Sequence, residues 1–401
     1  MKRKKKKTVK NQRLLLKRKI EKYLTKEEYY DLFNKAKASL NISKIEDKGI
    51  DVFARLINKN FITATELDFS SSYEYGKVDL VNLETLTKSL EKNTTITKLN
   101  FSKNHICEEG LTYFASIIAK NATITSLDLS LNNNSFISSK KSGLDDFGLS
   151  LQINKTLSTL NLSYNSLRKS GTEKIIKGLK GNSSIKELNL STNIIGDKGA
   201  KYIKDLLSKN KTLTKLDISG NAFTDTGISK IAEGLAKNET LTTLDLSLNR
   251  ITDQGVETIV KSLESNTTLT KLDLSYNEIG NKGAGFILLF IKEHPKIYVE
   301  IASNENISEF FKNAIISQNS SNKKFKLEPK TVVTKTVIKE DKEKYKLETQ
   351  SNFLETIKEE GEEQEEVITF HIGQNKDIFL TDSEFHLELT GSYTSELPDL
   401  V

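Results

Sequence analysis

Four histidines and a single cysteine are the side chains from which this 401-residue chain could build a metal centre or a nucleophile. His105, His294, His371 and His386 are scattered without metal-ligand spacing, and no CxxC, HExxH, GxSxG or phosphate-cradling GxxxxGK segment is present. Cys107 stands two residues from His105, the one thiol–imidazole pairing on offer, but both fall in the turn of a repeated unit, where a packed cysteine is the expected outcome. No catalytic residue, metal or cofactor is therefore expected, and the chain is not expected to be an enzyme.

Recognition chemistry is better supplied. Five segments, LSTLNLSYN (Leu157–Asn165), IKELNLSTN (Ile185–Asn193), LTKLDISGN (Leu213–Asn221), LTTLDLSLN (Leu241–Asn249) and LTKLDLSYN (Leu269–Asn277), share the pattern LxxLxLxxN, with their asparagines 28 residues apart. The leucines alternate with polar residues, so a short strand buries one face and wets the other. On the wet face the middle column is uniform: Asn100, Asp128, Asn161, Asn189, Asp217, Asp245 and Asp273. The flanking columns vary, and exposed aromatic and long aliphatic side chains are favoured interface anchors. A partner-binding surface is accordingly expected on Lys98, Leu131, Tyr164, Glu187, Lys215, Leu248, Lys271 and Tyr276.

The elements that position these columns follow from the same period. A chain repeating every 20 to 50 residues is a stack of units and not one globular core. The asparagines that close each strand (Asn104, Asn132, Asn165, Asn193, Asn221, Asn249, Asn277 and Asn304) are expected to be structural, their buried amides bonded to backbone of their own and adjacent coils. A helix follows each of them; Asp197, Asp225, Asp253 and Asn281 are expected as N-caps, and Asn210, Asn238 and Asn266 as left-handed C-terminal residues. Strands stack about 4.8 Å apart whereas helices need about 8 to 10 Å, so the stack must bend with its strands inside. The pattern resembles the leucine-rich repeat, and its 28-residue period is similar to the ribonuclease-inhibitor-like subfamily. The resemblance implies an α/β solenoid, a horseshoe with a concave parallel β-sheet and convex helices.

Ten repeat-like units are expected, from a degraded copy at Ala38, Leu40 and Ser43 to a last one at Val299, Ile301 and Asn304. Two units are longer, carrying SSSYEYGKVDL and NNNSFISSKKSG; Tyr73, Tyr75 and Phe136 fall in these insertions. Three regions follow: a basic tail and capping helix (1–34), the repeat domain (35–320), and an acidic, largely flexible C-terminal region (321–401) in which Thr331–Ile338 and Val367–Ile372 read as strands. In the capping helix Leu16, Ile20, Tyr23 and Leu24 recur at helical spacing.

The run from Lys2 to Lys7 suits a polyanion or a nuclear-import receptor. One cysteine permits no internal disulfide and points to a reducing compartment. No signal peptide is visible and no transmembrane segment is expected, the longest apolar run lying around Gly285–Ile291. A monomer, cytoplasmic or nuclear, is the expectation, with export as an effector left open. Sequons such as those at Asn93, Asn121, Asn238 and Asn266 read as by-products of the repeat and not as glycosylation sites.

The leading expectation is a non-enzymatic scaffold that binds a protein partner on its concave face. Two alternatives stand beside it: a secreted effector that binds host proteins, and a GTPase-activating protein, since Ran GTPase activators resemble this order of repeats followed by an acidic tail.

Overall fold

In the computed structural model the described residues are 11, 14–21, 39–41, 47–62, 64–70, 80–104, 106–132, 143–321, 368–371, 377–380 and 388–390. They form two compact units, 1–319 and 320–401. Lys2 to Lys7, Tyr23, Leu24, Tyr73, Tyr75, His105, Phe136, Thr331–Ile338 and the glutamates of 359–366 lie outside them.

The first unit is one ten-stranded sheet in sequence order, every pairing parallel. Its three-residue strands are β1 (Ser39–Asn41), β2 (Glu66–Asp68), β3 (Lys98–Asn100), β4 (Ser126–Asp128), β5 (Thr159–Asn161), β6 (Glu187–Asn189), β7 (Lys215–Asp217), β8 (Thr243–Asp245), β9 (Lys271–Asp273) and β10 (Tyr298–Glu300). Between and after them run helices α1 (Asp47–Asn58), α2 (Leu80–Leu90), α3 (Glu108–Lys120), α4 (Gly143–Ile153), α5 (Arg168–Leu179), α6 (Gly196–Lys209), α7 (Asp225–Leu235), α8 (Asp253–Leu263), α9 (Asn281–Glu293) and α10 (Glu309–Ser321). From β2 to β10 the central strand residue is buried and its two neighbours face the open side. Register is unbroken, Leu188 opposite Leu216 and Leu216 opposite Leu244. Leucines and isoleucines of strand and helix meet in a continuous core, and in the early coils phenylalanines take over, with Phe69 stacked on Phe101 at 4.6 Å and Phe114 edge-on to Phe101 at 5.0 Å.

The asparagine that closes each strand does what its burial demands. Asn193 Nδ2 donates to the carbonyls of Leu162, Leu190 and Ser191, and its Oδ1 accepts from the N–H of Asn165 and of Leu167. A second asparagine ladder runs along the other end of the strands. Asn210 Nδ2 donates to the carbonyls of Leu179 and Asn182 in the preceding coil, while Oδ1 accepts from Thr212 N and Leu213 N.

Two sequence expectations about the helix ends are overturned. Asn210 is extended (φ −74°, ψ 134°), because its amide already closes the turn and no left-handed residue is needed. Nor are the aspartates N-caps: Thr224 and Thr252 cap α7 and α8 with their own hydroxyls, accepting from Thr226 N and Gln254 N. Each aspartate instead reaches into the following coil. Asp225 Oδ1 accepts from Thr252 N at 3.0 Å and Oδ2 from the Thr252 hydroxyl at 2.6 Å; Asp253 Oδ1 accepts from Gly280 N and Gly283 N. This reach explains a glycine: a Cβ on Gly227 would stand 2.3 Å from Asp197 Oδ1.

The stack is finished at its C-terminal edge by Asn319 of α10. Its Nδ2 donates to the Val299 carbonyl at 2.8 Å and its Oδ1 accepts from Val299 N, so one side-chain amide occupies the groups that an eleventh strand would take. Towards the N-terminus residues 14–20 are helical; Ile20 is fully buried and Leu14 and Leu15 are exposed. The second unit contains a three-stranded antiparallel sheet of β11 (Ile368–His371), β12 (Asp377–Leu380) and β13 (Glu388–Thr390), of which β11 falls in the run Val367–Ile372.

Candidate recognition surface on the sheet face

Directly before each strand-closing asparagine sits a residue in the left-handed region. Lys103, Leu131, Tyr164, Thr192, Leu248, Tyr276 and Ser303 have φ between 52 and 62°, and Gly220 has 63°. The cause is a hydrogen bond: from this turned backbone Leu248 N reaches the Ser275 carbonyl and Tyr276 N the Ala302 carbonyl. Such a conformation costs a non-glycine residue about 1–2 kcal/mol, and it leaves Leu131, Tyr164, Leu248 and Tyr276 exposed at the edge of the open face. They do not form one stripe. Leu131 and Tyr164 lie on adjacent coils, as do Leu248 and Tyr276, and between the pairs stand only Thr192 and Gly220. At about 4.8 Å per strand the gap from Tyr164 to Leu248 is about 14 Å along the sheet.

Three of the four charged members of the expected surface are engaged in ion pairs across neighbouring strands. Lys215 Nζ pairs with Glu187 Oε1 across β6 and β7 at 2.9 Å, and Lys98 Nζ pairs with Glu66 Oε1 at 2.6 Å. Lys271 is half-buried on β9 and makes no ion pair among the described residues.

The middle column divides into two halves. In the early coils Asn161 Nδ2 donates to Asp128 Oδ2, so amide and carboxylate satisfy each other. From β7 onward the column is acidic without interruption: Asp217, Asp245 and Asp273 face one another in register, and Glu300 extends the row. Burial, followed by the carboxylates of Asp217 and Asp273, pushes Asp245 up to about 6 against the opposing hydrogen bond from the Ser247 hydroxyl. Asp217 is raised as well, again chiefly by burial. Beside Glu300, Tyr298 donates its hydroxyl to Glu300 Oε2, and burial together with that bond raises it to about 12. Glu300 and Tyr298 escape a sequence reading keyed to LxxLxLxxN, because the last coil, KIYVEIASN, departs from the pattern.

Among the described residues no cluster of histidine, cysteine and carboxylates could hold a metal ion. Cys107 is half-buried at the N-terminus of α3 and caps nothing with its side chain. No described helix is long and apolar enough to cross a membrane.

The Leucine Rich repeat family model matches seven stretches of the chain, 92–115, 120–133, 154–175, 181–204, 209–232, 237–260 and 265–288. No curated protein matches it. Among solved structures, actin-binding site 2 of leiomodin-1 is similar at 23% identity over 37% of this chain and 86% of its own, with a TM-score of 0.34. Human trophoblast glycoprotein (Wnt-activated inhibitory factor 1) is similar at 13% identity over 69% of this chain and 88% of its own, with a TM-score of 0.40. The leucine-rich repeat-containing protein LegL7 from Legionella pneumophila is similar at 18% identity over 72% and 91%, with a TM-score of 0.45. All seven matched stretches fall within the array of parallel strands and asparagine ladders, and the chain is a leucine-rich repeat protein.

Proposed function

We propose that the chain is a non-enzymatic scaffold whose open sheet face binds a protein partner. Leucine-rich repeat domains serve as protein-interaction scaffolds in general. The observation that carries the reading is the outward display of Tyr164, Leu248 and Tyr276, about half exposed at 48, 56 and 55%, on a strained backbone that a smaller residue would occupy as well. Large aromatic and aliphatic side chains in that position are anchors for a partner. Leu131 and Lys271 extend the same surface, and the Lys98–Glu66 and Lys215–Glu187 pairs form its polar floor.

The test is affinity capture from lysate of the source cells with the full chain, beside a variant carrying Tyr164→Ala, Leu248→Ala and Tyr276→Ala. None of these side chains belongs to the buried core and each is about half exposed, so the circular dichroism of the variant should match the parent and its melting should shift little. A protein captured by the parent and lost from the variant supports the reading; a capture profile that is identical for the two sinks the assigned surface.

A further inference from the structure

The helix side of the array, opposite the open sheet face, carries its charge unevenly. Between residues 168 and 209, which span α5, β6 and α6, ten lysines and arginines stand against four acids. Lys174, Lys180 and Lys204 are engaged with Asp145, Asp205 and Glu233. Arg168, Lys169 and Lys177 of α5 and Lys198, Lys201 and Lys209 of α6 are exposed and make no ion pair among the described residues. Helix capping does not account for them. Arg168, Lys169 and Lys198 lie in first turns, where the helix dipole disfavours a cation.

Beside this basic face, α4 breaks a rule that the later coils keep. Its Leu149 and Ile153, one turn apart on the same side of the helix, are 56 and 59% exposed. At 28-residue steps the position of Leu149 is held by Lys177, Asp205, Glu233 and Lys261, and that of Ile153 by Gly181, Lys209, Lys237 and Ser265. Lys177 is thus the counterpart of Leu149 on the neighbouring helix, about 10 Å away, and the two aliphatic side chains border the cations. The acids of α4, Asp145 and Asp146, stand in its first turn, at the end away from Ile153, and Asp145 is paired with Lys174. Cations with exposed aliphatic side chains at their edge match an anionic bilayer surface, whose headgroups take the charges and whose interface takes the carbon chains. A nucleic acid would take the cations alone and leave Leu149 and Ile153 in water.

We propose that the α4–α6 helix face docks on an anionic lipid bilayer, its unpaired cations lying against acidic headgroups and Leu149 and Ile153 entering the interface. The attachment leaves the sheet face open, so it stands whether or not that face binds a protein.

The chain has a second basic region in Lys2 to Lys7, and the test must tell the two apart. Co-sedimentation with sucrose-loaded vesicles is measured at about 100 mM salt, on phosphatidylcholine alone and on phosphatidylcholine with about 30% phosphatidylserine. Four full-length proteins are compared. Beside the parent stand a helix-face variant with Lys177→Gln, Lys198→Gln, Lys201→Gln and Lys209→Gln, an aliphatic variant with Leu149→Gln and Ile153→Gln, and an N-terminal variant with Lys4→Gln, Lys5→Gln, Lys6→Gln and Lys7→Gln. The substituted residues of α4–α6 are all exposed, and circular dichroism with thermal melting checks that each variant folds. Each cation near an anionic surface strengthens attachment about fivefold, so the helix-face variant should bind the acidic vesicles at least about thirtyfold more weakly than the parent. The aliphatic variant should lose about tenfold. Phosphatidylcholine alone should retain little of any of the four.

Equal binding by the parent and the helix-face variant, with the loss confined to the N-terminal variant, overturns the proposal. An aliphatic variant that sediments like the parent overturns it too. So does a parent that prefers a labelled DNA duplex to acidic vesicles and loses that preference in the helix-face variant, which would assign the cations to nucleic acid. None of these substitutions touches the sheet face, so this proposal and the partner reading can fail separately.

Discussion

Asp197 and Thr224, 27 residues apart in sequence, are joined twice across adjacent coils: Thr224 N donates to Asp197 Oδ1 at 2.9 Å and the Thr224 hydroxyl to Oδ2 at 2.6 Å. The same staple recurs from Asp225 to Thr252, and in altered form from Asp253 to Gly280 and from Asn281 to Ser308. Because Thr224 and Thr252 also cap helices, each staple ties the start of one helix to the next. Asp197→Ala leaves Thr224 N without its acceptor and should cost about 2 kcal/mol, read from the urea midpoint at unchanged m-value.

Gly227 makes room for that staple, its missing Cβ lying on the line of Asp197 Oδ1. Gly227→Ala alone should therefore destabilise by about 2 kcal/mol or more. In the Asp197→Ala background most of this penalty should vanish, giving a coupling of about 1 kcal/mol or more in a double-mutant cycle. Additive effects would mean that the glycine serves something other than the aspartate.

The left-handed column makes opposite forecasts for two neighbouring sites. Gly220 adopts φ +63°, and a Cβ there would lie 2.8 Å from Thr192 Oγ1, so Gly220→Ala should lose about 1–2 kcal/mol. Leu248 pays the same backbone strain while its side chain is exposed, so Leu248→Gly should change stability by less than about 1 kcal/mol in either direction. Thermal melts of both variants provide the comparison.

Asp245 gives the array a pH dependence of definite sign. Its folded value, about 6, lies above the ordinary 3.8, so the fold holds the proton more tightly than the unfolded chain does. Stability should fall as pH rises from about 4 through about 6 and should be regained on acidification across that window. Asp245→Asn should flatten this slope and stabilise the array at neutral pH by on the order of 1–2 kcal/mol, an allowance for partial solvation included. Urea midpoints at about pH 5 and about pH 7.5 decide it.

The sequons should stay unmodified even where glycosylation machinery is present. Asn121 and Asn238 are buried, with Asn121 Nδ2 on the Leu90 and Asn93 carbonyls and Asn238 Nδ2 on the Leu207 carbonyl. Intact mass after expression in a glycosylating host should show no glycan at either residue in folded protein. A glycan attached to the unfolded chain at either amide would take up the nitrogen that donates inside the coil and keep the coil from closing.

The coil itself was legible from the sequence because its causes are local. LxL alternation turns leucines one way within three residues, an amide three residues further on closes the turn, and helical spacing follows; Leu188, Leu190 and Asn193 show the strand and its closing amide inside a single copy. The two-spacing argument then places the strands on the inner side, and the variable columns mark which side chains meet solvent. What only the tertiary structure decided lies between coils. Asp197 looks like an N-cap for its own helix because capping is the short-range role for an aspartate at that position, whereas its hydrogen bonds go to a residue that stacking alone brings near. Gly227, the second asparagine ladder through Asn210, and the edge amide of Asn319 belong to the same class. The division of the exposed apolar residues into two pairs, and the unbroken acidic row beside one of them, depends likewise on register: neighbours 28 residues apart along the chain become neighbours about 4.8 Å apart in the sheet, and their charges and shapes act together only there.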